Sequence, residues 1–258
     1  MRETVVVSVG ERHLPHLARI VDPLVVTDLA TVVWSPHGHS DAVNSLVMAP
    51  EGAAAVAQTV LLDSVGEPDA REALDRVCAL AGQVAVVDLA WLRATPWRER
   101  LAAHFDPPDR RAELRTMSKI SVRYGAESMV SGLLLVGWLC ARLGWRPEQL
   151  TRHDALLRGR ARGRRGEVEL RLEPVGRMSV PGLAGVEIRS VSGSMIALER
   201  GEGGLSARRV EPKGEERAWT VLGASRGEAG ILGEGIRHAL LPDPTYAPAL
   251  AAARCMLA

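Results

Sequence analysis

The feature that most constrains this chain is a change in hydrophobic period along its length. Between Leu156 and Leu222 the text runs in short segments, "EVELRLEPV", "GVEIRSV", "MIALER", "LSARRVE" and "ERAWTVL", separated by Gly, Ser, Pro and Lys-Gly turns. In the first of them Val168, Leu170 and Leu172 alternate with Glu167, Glu169 and Arg171. A period of two with one apolar face is the pattern of antiparallel strands wet on the other side. The first hundred residues read differently, as strands alternating with helices. "TVVVSV", "ATVVWSP" and "QTVLLDS" are strand-like. "RHLPHLARIVDPLV" reads as a helix interrupted early by Pro15, and "SDAVNSLVMA" as a short helix that Ser40 is placed to cap. "PDAREALDRVCALAG" carries Ala73, Leu74, Val77, Cys78 and Leu80 near helical spacing, with Pro68 at its start and Gly82 past its end. Such alternation predicts a mostly parallel sheet covered by helices.

The two patterns meet at Pro107-Pro108, where neither residue can continue a helix. The expected organisation is therefore an α/β domain over residues 1–108 and an α+β domain over 109–258, a meander packed against helices. "LRTMSKISVRY" leads the second part into an apolar helix from Glu127 to Gly144, and "EAGILGEGIRHALL" and "PTYAPALAAARCML" close it as helices. The apolar run Met129 to Cys140 is well short of the roughly 20 residues that span a bilayer. "MRETVVVSVGERH" lacks the apolar core and cleavage pattern of a signal peptide. Cys78, Cys140 and Cys255 are odd in number and far apart, which fits neither a disulfide framework nor a metal knuckle. A reducing cytoplasm is the expected compartment.

Thirty-two basic against thirty-one acidic residues leave a formal net charge of +1, so no whole-molecule field draws the chain to nucleic acid or anionic lipid. "RGRARGRRG", Arg158 to Gly166, has the look of an arginine-glycine segment. No aromatic is interleaved with it, however, and glycines with arginines also suit a solvated hairpin. His37 and His39 are two imidazoles, too few for a metal site, and read better as a polar loop. The glycines of "GEGG", Gly201 to Gly204, and of "GILGEGIRHAL" do not follow the strand, loop, helix order of a phosphate cradle. No catalytic signature, cofactor motif or metal motif is found, and none of these groups is expected.

The most distinctive stretch is "DLAWLRATPWRERLAAHFD", Asp88 to Asp106, with two of the six tryptophans in a chain that is only 3% aromatic. Thr95-Pro96 reads as a helix start with threonine as cap, placing Trp97, Leu101 and His104 or Phe105 on one face and Arg98, Glu99 and Arg100 elsewhere. Trp91 and Trp97 then anchor a junction, or a Trp-Arg surface meets another protein, since both types are enriched at interfaces.

Four segments in order resemble the glucose-6-phosphate dehydrogenase assembly proteins, the OpcA family. "DLAWLRATPWRE" resembles the signature D-L-A-W-x-R-x-T-P-W-R, and "PLVVTDLATVVWSP" the segment of leucines, Asp-Leu-Pro, valines, paired tryptophans and Pro-Gly. "LLLVGWLCARLGW" is similar to the helix A-x-W-L-A-x-R-L-G-W, and "DPTYAPAL" to the closing D-x-x-Y-x-x-A-L. Ala30 stands where the family has proline, and Trp34-Ser35 replaces the double tryptophan. The resemblance implies a non-catalytic partner that binds glucose-6-phosphate dehydrogenase and promotes its active oligomeric state, without a cofactor. It makes Trp91, Arg93, Trp97 and Arg98 the expected partner-binding residues. By the same resemblance the chain begins inside the family's first domain, which predicts an unpaired sheet edge. The competing expectation is an enzyme or sensor that binds sugar phosphate or nucleotide in the α/β crevice at the carboxyl ends of the strands.

Overall fold

The computed structural model describes residues 4–26, 29–36, 40–48, 55–67, 69–164, 166–201, 203–222 and 227–257. His37, His39, Pro68 and Arg165 lie outside them. The expected first strand does not form. Thr4 to Gly10 have no regular secondary structure, and Val5, Val6 and Val7 are exposed, because a valine run becomes a strand only beside another. Short turns of helix follow, including α1 (Ala18–Val21), with Pro15 inside the preceding 3-10 turn.

The smaller sheet is parallel, as the alternation predicts. β1 (Val32–Ser35), β2 (Thr59–Leu62) and β3 (Ala85–Asp88) lie in that order, joined by α2 (Ser40–Val47) and α3 (Ala70–Ala81). On α3, Ala73, Leu74, Val77 and Leu80 are buried, while Asp69 caps the helix by accepting from the amides of Arg71 and Glu72. β3 is an addition to the sequence expectation: "AVVD" runs straight into the next helix and carries no turn signal between them. Among the described strands, β1 pairs only with β2. Two helices follow at once, α4 (Leu89–Arg93) and α5 (Thr95–Phe105). Pro107-Pro108 ends α5, and Pro108 opens another turn, α6 (Pro108–Arg111), where its missing donor costs nothing.

The larger sheet contains β4 (Met117–Gly125), β5 (Arg146–Pro147), β6 (Thr151–His153), β7 (Leu156–Gly163), β8 (Gly166–Val175), β9 (Leu183–Ser190), β10 (Met195–Gly201), β11 (Gly204–Val210) and β12 (Glu216–Leu222). Its order is β12-β11-β10-β9-β4-β8-β7-β5, with β6 on β7. This corrects the simple meander, because β4 sits between β8 and β9 and pairs with β8 in parallel. A parallel pair needs a long crossover, and α7 (Met129–Leu143) begins it. Val168, Leu170 and Leu172 face inward as their alternation requires, and Glu167 and Glu169 are exposed. The arginine-glycine stretch is the β7-β8 hairpin. Arg160 pairs with Glu167 at 3.0 Å, and Arg162 with Glu148 at 2.7 Å, all on the wet face.

Ten residues of α7 from Val130 to Cys140 are buried, and Gly144, at φ +67°, ends the helix in the left-handed conformation. Among the described residues no helix is long and apolar enough to cross a membrane. Two helices then return to the first part of the chain, α8 (Gly227–His238) against β3 and α4, and α9 (Tyr246–Cys255) against α3 and, more extensively, α7. The Thr59 hydroxyl donates to the Ala239 carbonyl at 3.0 Å, and a Cβ built on Gly137 of α7 would stand 2.3 Å from the Ala249 carbonyl of α9. One continuous apolar core therefore joins β2, β3, α3 and α4 to β4, α7 and α9. The three thiols are free: Cys140 is buried, Cys78 half-buried and Cys255 exposed.

Candidate functional site

The Asp88–Asp106 stretch folds into a seam where the end of β3 meets the returning C-terminal segment. Asp88 is the last residue of β3 and the cap of α4, so the capping role expected of Thr95 falls to an aspartate seven residues earlier. Its Oδ1 accepts from the amides of Ser64 (3.2 Å) and Ala90 (2.9 Å), and its Oδ2 from the hydroxyls of Ser64 (2.6 Å) and Tyr246 (2.9 Å). Burial pushes the Asp88 carboxyl above the usual range even though the bonds from Ser64 and Tyr246 oppose it. Tyr246 is likewise pushed well up by burial and by Asp88. A carboxylate with four donors and no cation is built to hold two elements together, not to accept a proton from a substrate.

A second set of contacts repeats the junction one turn on. The Trp91 indole donates to Asp243 Oδ2 at 2.9 Å, and its ring lies 5.3 Å from that of Tyr246, tilted by 55°. Arg98 sits over the same ring, its guanidinium carbon 3.4 Å from the Trp91 ring centroid. It donates to the Trp91 carbonyl (2.7 Å) and to Thr95 Oγ1 (3.0 Å), which is why that hydroxyl caps nothing. Burial lowers the Arg98 pKa to about 10, and Asp243, 3.9 Å away, offsets only part of it. Asp243 is held below the usual carboxylate range by Thr245, Trp91 and Arg98, although burial works the other way. At 3.9 Å that ion pair is loose, and the ring contact and two hydrogen bonds hold the guanidinium.

Arg93 closes the seam on its other flank. It grips Asp63 in a fork, 2.9 and 2.6 Å, at the end of β2, and reaches Glu228 in the first turn of α8 at 3.0 and 2.7 Å. Burial opposes its charge, but the two carboxylates push its pKa up.

The structure thus brings Trp91, Arg93, Trp97 and Arg98 together, and it buries them. Trp91 is 3% exposed, Trp97 2% and Arg98 7%, and the Arg93 side chain 7%. Arg98, expected off the face of Trp97 and Leu101 on a helix starting at Thr95, is buried as well. The break between α4 and α5 turns residue 98 back over residue 91, so the guanidinium stacks inward. What lies at the surface is a cleft of about 260 Å³ bounded by Arg93, Trp97, Glu99, Arg200, Leu205 and Glu228. Arg200 donates to the Leu183 carbonyl at 3.1 and 2.9 Å, so both cleft arginines are held in place.

Where α5 meets β11 of the larger sheet, Arg209 donates to Glu113 (2.7 Å), to Glu211 and to the Nε2 of His104 (2.6 Å). Burial and the neighbouring Arg209 lower the His104 pKa to about 4, so the ring is neutral and accepts at Nε2, with Nδ1 unpartnered. Asp63, Glu228 and the Arg209 cluster carry no sequence signal, because their partners are remote in the chain. Arg93 is 30 residues from Asp63 and 135 from Glu228, and Arg209 is 96 from Glu113. Asp243 and Tyr246 do carry a signal, since they lie in the closing D-x-x-Y segment. Among the described residues no group of three His, Cys, Asp or Glu side chains could hold a metal ion.

A family model described as the C-terminal domain of the glucose-6-phosphate dehydrogenase subunit (OpcA) matches residues 84–250. The OxPP cycle protein OpcA of Nostoc punctiforme is 35% identical over 95 residues, 36% of this chain and 20% of that protein. Its counterpart in Synechocystis is 40% identical over 63 residues, 24% of this chain and 13% of that protein. The matched stretches span a fifth or less of the length of these relatives. Among solved structures, a dehydrogenase (MviM) from Clostridium difficile aligns at a TM-score of 0.45 with 11% identity, over 93% of this chain and 84% of that one. That likeness is too loose to bear on function.

Proposed function

Since the chain belongs to the OpcA family of glucose-6-phosphate dehydrogenase subunits, we propose that it is a non-catalytic factor that binds glucose-6-phosphate dehydrogenase and promotes its active oligomeric state. It would do so in the cytoplasm, in the oxidative pentose phosphate pathway. The observation that carries this reading is how the family's two most polar segments are used. Asp88, Trp91, Arg93 and Arg98 from the first and Asp243 and Tyr246 from the second satisfy one another or Ser64, Asp63 and Glu228. Side chains committed in this way stiffen a surface and leave no unengaged nucleophile or base beside a substrate.

In this reading Trp91, Arg93, Trp97 and Arg98 serve the partner as positioning residues. They fix the wall of the cleft formed by α5, α8 and the β10-β11 hairpin, and the dehydrogenase is met by the rim that they hold. The test is to mix the purified chain with the dehydrogenase from the same cell. The chain alone should show no turnover. The mixture should show a raised dehydrogenase rate and a larger species in size-exclusion chromatography. Linkage adds a requirement: a factor that favours the active state binds that state more tightly, so substrate or NADP should tighten the complex. No co-elution and no change in rate at micromolar concentration would sink the proposal.

A further inference from the structure

The smaller sheet holds a cavity of about 380 Å³ at the carboxyl ends of β1 and β2, on the face opposite α8. Leu61 meets α8 at Gly235, so Val60 and Leu62, one residue either side of it, point the other way. Above them stand Val43 of α2 and Leu80 of α3, and these two helices do not close on each other along this face. Neighbouring helices over a sheet ordinarily interlock at the density of an organic crystal. A space of this size between them falls in the range of small-ligand sites, about 300 to 1,000 Å³. It opens at the carboxyl ends of the parallel strands β1 and β2.

The chemistry of the cavity is divided. Its floor is aliphatic, with Val43, Val60, Leu62 and Leu80 all buried. Its rim carries acceptors. Asp63 gives Oδ1 to Arg93 and the Val65 amide and Oδ2 to Arg93, and Glu67 pairs with Arg76. A carboxylate has about four lone-pair directions, so both keep capacity for further donors. Arg93 and Arg76 balance the two carboxylates, so the rim is near neutral; its remaining lone pairs suit paired hydroxyl donors, and the aliphatic floor suits a flat ring of low charge.

We propose that this cavity binds a ribonucleoside, with the base on Val60 and Leu62 and the ribose cis-diol toward Asp63 and Glu67. The site shares Asp63 with the Arg93 end of the seam but is distinct from the cleft beside it, and it does not depend on the assembly role. The test is calorimetric titration of the full chain with adenosine, 2′,3′-dideoxyadenosine and glucose. Adenosine should bind saturably at one site, the dideoxy analogue at least tenfold more weakly, and glucose not at all. Asn44→Trp, at an exposed position on the cavity wall, should abolish binding without moving the melting temperature. Glu67→Gln, which keeps the shape, should weaken it about tenfold. No saturable adenosine binding, equal binding of the dideoxy analogue or of glucose, or wild-type affinity in either variant would overturn the assignment.

Discussion

Arg98 shows how one side chain can be misread from its neighbours in sequence. A guanidinium within "PWRER" looks like a solvated charge, yet here it is pressed on Trp91 and bonded to a main-chain carbonyl. Arg98→Ala would remove the shorter of the two hydrogen bonds to the Trp91 carbonyl, leaving only the Ala94 amide, and would uncover the indole ring. We expect a loss of about 2 to 4 kcal/mol, read as a fall of roughly 5 to 10 °C in the melting temperature. Arg98→Lys should recover little, because an ammonium neither stacks nor forks. A melting temperature within a degree of wild type for Arg98→Ala would contradict the stack. His104 gives a prediction in pH. Its ring titrates near 4 in the folded chain, against 6.5 when unfolded, so between those values the unfolded state holds more protons. The contribution is complete above pH 6.5 and is lost as the pH falls toward 4, by at most about 3 kcal/mol. The groups facing the ring are Arg209, Arg110, Glu113 and Glu211, and the two arginines outweigh the two acids. Urea unfolding at pH 7 and pH 5 should show that loss in the wild type and much less of it in His104→Leu. Equal losses would place the acid sensitivity elsewhere.

Elements were legible wherever the period was local. The α3 face, the apolar α7 and the alternation of β8 could all be read directly, because one residue's neighbours in a helix or strand are fixed by chain geometry. The parallel pairing of β4 with β8 could not be read. It joins Lys119 to Glu169 and Ile120 to Leu170 across a crossover, and nothing in either segment names the other. Val5 to Val7 have the composition of a strand without a neighbour to make it one. Helix propensity misleads in the same way at Gly137. In an isolated helix alanine would be better than glycine there by about 1 kcal/mol. In this fold the added methyl meets the Ala249 carbonyl at 2.3 Å and the Ala253 amide at 3.0 Å, both main chain and unable to swing aside. The overpacking cost, about 1 to 3 kcal/mol or more, should win. Gly137→Ala is thus expected to lower the melting temperature, and a rise would show that α7 and α9 are farther apart than described.

At the scale of the molecule, the expectation of two parts divided at Pro107-Pro108 meets α8 and α9, which come back to pack on β3, α4 and α3 of the first part. Sequence order could not reveal that return, because the seam is made by single residues: Asp88 to Tyr246, Trp91 to Asp243, Arg93 to Glu228. With the core continuous across both sheets, scanning calorimetry should record one cooperative transition, and two resolved transitions would mean that the parts melt independently. Ending the chain at Leu222 should abolish that transition altogether, since β2, β3, α3 and α7 would each lose their cover. The same seam sets an order of events during synthesis. The ribosome delivers Asp88 some 158 residues before Tyr246, so the smaller sheet waits, half-clothed, until Tyr246 has been made. Closure of so long a loop is slow, and apolar surface left open in the interval is exposed to aggregation. A nascent chain of this protein has to be kept apart from its neighbours until α9 is released.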